Sequence, residues 1–214
     1  MSDYRLSVIG ARVEPHAIAP TLTFTLRVDV GSTTPVHAIA LRCELQIEPR
    51  SRRYAPAEGD RLYELFGEPV RWHETLRPLL WTRASVLVPR FQGTIDVDVP
   101  IACTYDLEVA AAKYFHALDA GDIPLLFLFS GTIFFAGDQR FSVAPVAWDK
   151  EAAYRLPVAL WRELMNRYFP NSSWLRLRRE NIDALHRFKG RCALTTFDDA
   201  VEALLAQAGE QELA

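Results

Sequence analysis

The side chains that could do chemistry are few and scattered. The five histidines, His16, His37, His73, His116 and His186, are spread along the whole chain. A bound metal ion must be reached by three or four donors at once, yet neither a C-x-x-C nor an H-E-x-x-H spacing occurs. His73-Glu74 is the one histidine–carboxylate pair adjacent in sequence, and sequence neighbours usually point apart. Asp96 and Asp98 share a strand face and could hold a cation, although a solvated sheet face explains them more simply. Phosphate cradles need glycine-rich turns that open a helix, so that backbone amides approach the anion; the ten glycines form none. No G-x-S-x-G elbow occurs, and no motif links Cys192 to a histidine and a third group. The sequence therefore predicts no catalytic residue, no metal and no cofactor. An enzyme of unrecognised type would have to assemble its groups from distant positions.

The chemistry of recognition is better represented. Trp161 and Trp174 flank the Phe169-Pro170 break, with Arg162, Arg167, Arg176, Arg178 and Arg179 around them. Trp and Arg are enriched where binding energy concentrates, because each joins a large contact surface to a directional polar group. Trp174, Arg176, Arg178, Arg179 and Trp161 are thus the candidate partner-binding residues. Trp161 also fits an apolar helix stripe, which would make it core; Trp174 follows the proline in an irregular stretch, where exposure is expected. Arg187, Lys189 and Arg191 continue the basic run. Basic residues among aromatics can bind a nucleic-acid strand, but a pI near 6.0 opposes that role. Charge is unevenly spread. Residues 150–191 carry ten Lys/Arg against four Asp/Glu, and residues 192–214 carry five acids with no Lys or Arg. The simplest expectation is that the acidic last helix lies near the basic stretch.

The elements that must position these groups follow from periodicity. Leu22, Phe24, Leu26, Val28 and Val30 alternate with polar residues, the period-two signature of a half-buried strand. Ile39, Leu41, Cys43, Leu45 and Ile47 repeat the pattern after a turn cluster at 31–35, so the two strands read as an antiparallel hairpin. A third strand runs through Ile95, Val97, Val99, Ile101 and Cys103. Cys43 and Cys103 lie on apolar phases, which predicts reduced, buried thiols. Asp106 is placed to cap a helix ending near Leu118. Ile123 to Phe135 is a long strand with its odd positions facing the core, followed by a shorter strand over 140–146. Ile123 to Phe129 is apolar on both faces, so a helix or a partner subunit must cover the second, and a homo-oligomer is expected. The last third switches to helical period, with helices from Pro157 to Tyr168, from 179 to 189, and after a capping box at Thr195 or Thr196. Residues 48–80 are irregular, with one helical turn at 61–66, and their length suggests a functional loop.

These readings give an α+β class: a mostly antiparallel sheet backed on one face by C-terminal helices, in a single domain over 1–214. Residues 1–147 are mainly sheet with one helix, and 148–214 are helical. The start lacks an apolar signal region and the longest apolar run is far short of a membrane span. A cytoplasmic protein without membrane insertion is expected.

Two resemblances add to this. Tyr154-Arg155-Leu156-Pro157, Trp161, Phe169-Pro170-Asn171-Ser172-Ser173-Trp174-Leu175 and Asp183-Ala184-Leu185 resemble an uncharacterised bacterial family whose genes often lie in nickel–iron hydrogenase clusters. So do Tyr105-Asp106-Leu107-Glu108-Val109, Lys113-Tyr114-Phe115 and Ser130-Gly131-Thr132. Ala40-Leu41-Arg42-Cys43-Glu44-Leu45-Gln46, Leu156-Pro157-Val158-Ala159 and Asn181-Ile182-Asp183-Ala184-Leu185 are similar to segments of the export chaperone SecB, which implies a SecB-like sheet, a tetramer and binding of non-native polypeptide. The leading expectation is a non-enzymatic protein-binding factor, chaperone-like or an assembly accessory, whose partner would be a hydrogenase subunit or its maturation proteins. The alternative is a stable accessory subunit of an oxidoreductase complex.

Overall fold

The computed structural model describes residues 4–31, 35–107, 109–135, 142–173 and 175–209. The chain divides into two compact units, Met1–Trp174 and Leu175–Ala214, where the sequence reads as one domain. Among the described residues of the first unit, eight strands form two antiparallel sheets. The smaller has the order β1 (Arg5–Val13), β2 (Thr21–Asp29), β5 (Thr94–Ala102). The larger has the order β4 (Leu79–Val88), β3 (Val36–Ile47), β6 (Asp122–Phe135), β7 (Ser142–Pro145), with β8 (Glu151–Pro157) also paired to β6.

The two sheets pack face to face through the apolar phases read from the sequence. Phe24 of β2 sets its ring edge-on to Phe127 of β6 at 5.1 Å, Tyr154 of β8 at 5.8 Å and Trp81 of β4 at 6.1 Å. Edge-to-face pairs place the positive ring edge against a negative face. Leu22, Leu26, Leu41, Leu45 and Ile133 fill the space around them. The outward faces are polar where ion pairs form: Arg27 lies opposite Asp96 and bonds it in two places, and Arg12 of β1 reaches across β2 to bond Asp98 of β5 in two places. Both aspartates are therefore occupied by arginines, whose guanidinium hydrogen bonds hold their carboxyls below the ordinary range.

The α+β class holds, with three departures in detail. First, β2 and β3 do not form a hairpin; β2 pairs with β1 and β5, and β3 with β4 and β6. Alternation fixes which face is buried but does not name the neighbour. Second, the inner face of the larger sheet is covered by the smaller sheet, while the first unit's helices gather at one end of the sandwich. Third, residues 151–157 are a strand that continues along β6, and Pro157 ends it as the cap of α4 (Val158–Tyr168).

Segment 48–80 is more regular than its sequence suggests. It holds a 3-10 turn at Pro49–Ser51, α1 (Pro56–Phe66), a second 3-10 turn at Pro69–Arg71 and the short α2 (Trp72–Thr75). Next comes α3 (Ala110–His116), which starts later than Asp106; the Asp106 carbonyl instead accepts from Val109 N–H in the turn before it. The anchor of this end is Glu58. Its carboxylate accepts from Arg52 at 2.8 Å, from Ala55 N–H at 3.0 Å and from Asp119 N–H at 2.9 Å. Arg52 also donates to the carbonyls of Asp122 and Ala120. Alongside, the Tyr54 and Tyr114 hydroxyls share a 2.8 Å hydrogen bond. Burial pushes the Tyr54 phenol up to about 12 and raises Tyr114 as well.

The second unit is a helical pair, α5 (Arg179–Arg191) and α6 (Phe197–Ala208). The expected capping box is present: the Thr196 hydroxyl accepts from Asp199 N–H, and the Asp199 carboxylate accepts from Thr196 N–H.

Two predictions follow from the packing. Burial raises the thiols of Cys43 and Cys103 to about 12, whereas Cys192 is exposed. The thiolate is the reactive form, so alkylation of the native protein should label Cys192 alone, and denaturant should release the other two, as read by intact mass. Arg52 and Glu58 expose only 10% and 4% of their side chains. Glu58→Ala leaves a buried, unpaired guanidinium and should cost about 3–5 kcal/mol in chemical denaturation.

Candidate partner-binding groove

The other end of the sandwich carries the candidate site, and a single glycine sets it up. Gly131 sits in β6 with φ 141°, a backbone conformation that favours glycine, and a Cβ there would lie 2.1 Å from the Ala40 carbonyl oxygen of β3. Opposite Gly131 the strand formed by β7 and β8 is interrupted. Val146 N–H donates to the Gly131 carbonyl and Phe129 N–H donates to the Lys150 carbonyl, so Ala147, Trp148 and Asp149 are pushed out between these two ladder bonds. Lys150 N–H closes the turn on the Ala147 carbonyl. Bulges of this kind re-aim a side chain at a sheet edge.

The side chain re-aimed is Trp148, which is 95% exposed. Its backbone is nonetheless fixed. The Tyr4 hydroxyl accepts from Ala147 N–H at 2.5 Å, and the Lys150 ammonium lies 4.7 Å from the Tyr4 ring centroid. Trp148 borders a groove of about 810 Å³ whose walls include Tyr4, Ile133, Phe135, Pro145 and Val146. The lining is mostly apolar, and Asp149 supplies a carboxylate at one side. Sequence reading missed Trp148 altogether. The available signal was a lone tryptophan in Ala147-Trp148-Asp149-Lys150, polar on one side and following a strand on the other.

The residues singled out from sequence are not gathered into one surface. Trp161 is 2% exposed, packed edge-on against Tyr105 and Phe115, and so cannot meet a partner. Its place in the α4 stripe with Leu164 and Met165 explains the burial. Trp174 lies outside the described residues. Arg176, Arg178 and Arg179 belong to the second unit and are exposed, with Arg178 the cap of α5 and Arg179 its first residue. Cations at a helix N-terminus oppose the helix dipole, so helix stability does not account for them.

Among the described residues, no group of three or more His, Cys, Asp and Glu is arranged to hold a metal ion. His116 bonds the Tyr105 hydroxyl at 3.1 Å, and burial, then Arg61 and Arg162, lowers its pKa. No helix among the described residues is long and apolar enough to cross a membrane.

Comparison with known families gives one decisive match: the model of the Family of unknown function (DUF6084) aligns with residues 1–213. The chain belongs to this family. No curated protein matches the sequence significantly. Among solved structures, a Se-Met labelled β-glucosidase from Kluyveromyces marxianus is similar over 72% of this chain at 10% identity, with a TM-score of 0.25. The glucose complex of the Kluyveromyces marxianus β-glucosidase has the same coverage and identity with a TM-score of 0.23. The chain spans 15% of the length of each, and likeness of this degree carries no argument about this family member.

The bulge depends on Gly131, which yields a prediction. Gly131→Ala combines a backbone clash with an unfavourable φ and should destabilise the protein by roughly 3 kcal/mol or more. Thermal unfolding should show this as a Tm lower by about 6–12 °C.

Proposed function

We propose that this protein is a non-enzymatic protein-binding factor, chaperone-like or an assembly accessory, and that its partner docks on the Trp148 groove. One observation carries the reading: a tryptophan with its indole free in solvent, on a backbone anchored by Tyr4, beside a mostly apolar groove. An exposed indole offers roughly 200 Å² to a partner, worth about 5 kcal/mol at 25 cal/mol per Å² before the costs of association. Tryptophan is also the residue type most enriched at interface hot spots. The short strand β7 at the end of the larger sheet offers an edge to an extended segment, the usual way a sheet captures a peptide. A hydrogenase subunit or maturation protein, implied by the sequence resemblance, is the first partner to test.

A permanent accessory subunit, or a homo-oligomer, is the second reading, and a different surface favours it. On the outward face of the larger sheet, Leu126 and Leu128 are half-buried, and Leu80, Leu87 and Val143 are exposed. Apolar side chains on a shared sheet face suit a lasting contact.

Affinity capture with the wild type and Trp148→Ala, read by mass spectrometry, tests the proposal. The variant should lose at least roughly tenfold of the captured partner, the loss expected for one hot-spot residue. Because the side chain touches little, its Tm should stay within about 1 °C. Equal capture by both proteins would refute the groove. A salt-stable, stoichiometric complex with a mature enzyme would favour the accessory-subunit reading over an assembly factor.

A further inference from the structure

A cleft of about 470 Å³ lies at the helix-bearing end of the sandwich, far in the fold from the Trp148 bulge, and its character is cationic. Arg50 and Arg53 reach it from the 3-10 turn and the segment after it, and Arg155 from β8. Several arginines of this unit are matched to carboxylates, among them Arg12 to Asp98, Arg27 to Asp96, Arg61 to Asp119 and Arg83 to Glu44. Arg50, Arg53 and Arg155 form no ion pair among the described residues. Two of them are instead tethered by backbone oxygens. Arg50 donates to the His73 carbonyl, and Arg155 donates to the Ser51 carbonyl at 3.2 Å. Each tether uses one terminal nitrogen and limits the side chain's freedom while leaving other donors for a ligand.

The floor is fixed independently. Arg52, neutralised by Glu58, ties the Ala120 and Asp122 carbonyls to the 3-10 turn. Asp122 is the one carboxylate among the cleft's lining residues. Three unmatched guanidiniums against one carboxylate favour an anion of charge −2 or more. Planar guanidinium forks fit the paired oxygens of a phosphoryl group, which they can grip with two parallel hydrogen bonds.

We infer that the Arg50–Arg53–Arg155 cleft binds a small soluble ligand through a phosphoryl dianion. This goes beyond the groove and does not rest on it. The test uses sodium pyrophosphate as probe, titrated by calorimetry at constant ionic strength so that general screening does not change. The wild type should bind one equivalent saturably, with a Kd on the order of 1 mM or tighter. Arg53→Ala and Arg155→Ala should each weaken this about tenfold or more, whereas Arg90→Ala, which removes an exposed arginine outside the cleft, should leave it unchanged. The Arg53 side chain makes no hydrogen bond or ion pair among the described residues, so its variant tests binding even where Arg155→Ala disturbs the Ser51 tether. Absence of saturable binding, or equal weakening by Arg90→Ala, would overturn the inference. So would sedimentation with anionic phospholipid vesicles in the absence of pyrophosphate binding, because the ligand would then be a membrane surface.

Discussion

The buried Arg52–Glu58 pair is the constraint on which the helix-bearing end of this protein depends. A carboxylate removed from water is tolerated only if its oxygens are satisfied, and Glu58 meets that demand with a guanidinium and two backbone amides. The three donors come from different places: Arg52 follows the 3-10 turn, Ala55 precedes α1, and Asp119 lies in the turn before β6. One side chain thereby joins the start of α1 to the turn that launches the central strand. Arg52 extends the joint to the Ala120 and Asp122 carbonyls. Such an arrangement adds less to stability than apolar packing would, but it specifies geometry, because any other placement of α1 strands a charge.

The central strand carries that geometry to the opposite end. β6 pairs with β3 along one side and with β8 and β7 along the other. Gly131 is the point where it departs from regularity, because β3 approaches so closely that no side chain fits. The ladder on the far side is interrupted opposite that residue, and Trp148 emerges there. The two ends thus differ in kind. One is dense with helices, hydrogen-bonded tyrosines and ion pairs; the other ends in an apolar groove edged by an exposed ring.

How much of this was legible in the sequence depends on the physical signal. Strict alternation revealed β2, β3, β5 and β6, because one buried face imposes period two. Partner choice was not legible: Leu26 and Leu41 have the same pattern whether their strands pair or face each other across a core. The strand β8 was hidden because Tyr154-Arg155-Leu156-Pro157 runs directly into a strong helix stripe. α1 was hidden because Gly59 and Asp60 weaken the helical pattern, and Glu58, which secures it, reads from sequence as an ordinary surface acid. Trp161 was legible as core from its stripe, and as an interface residue from its type; packing against Tyr105 and Phe115 decided for the core. Trp148 was missed because an exposed tryptophan has no periodicity to announce it.

The distribution of chemistry in the fold bears on the kind of function it serves. Reactive groups need accessibility and a tuned protonation state, and here the two rarely coincide. Cys43 and Cys103 are buried with thiols raised to about 12, and Tyr54 and Tyr114 hold their protons in a shared hydrogen bond. Asp96, Asp98 and Asp119 are accessible, but arginines already occupy them. Among the described residues, an exposed indole borders a groove at one end, and Arg50, Arg53 and Arg155, with no ion pair among those residues, line a cleft at the other. The first is suited to recognition by area and the second by directed hydrogen bonds. These are the two surfaces on which the proposed binding roles rest, and they lie at opposite ends of the sandwich.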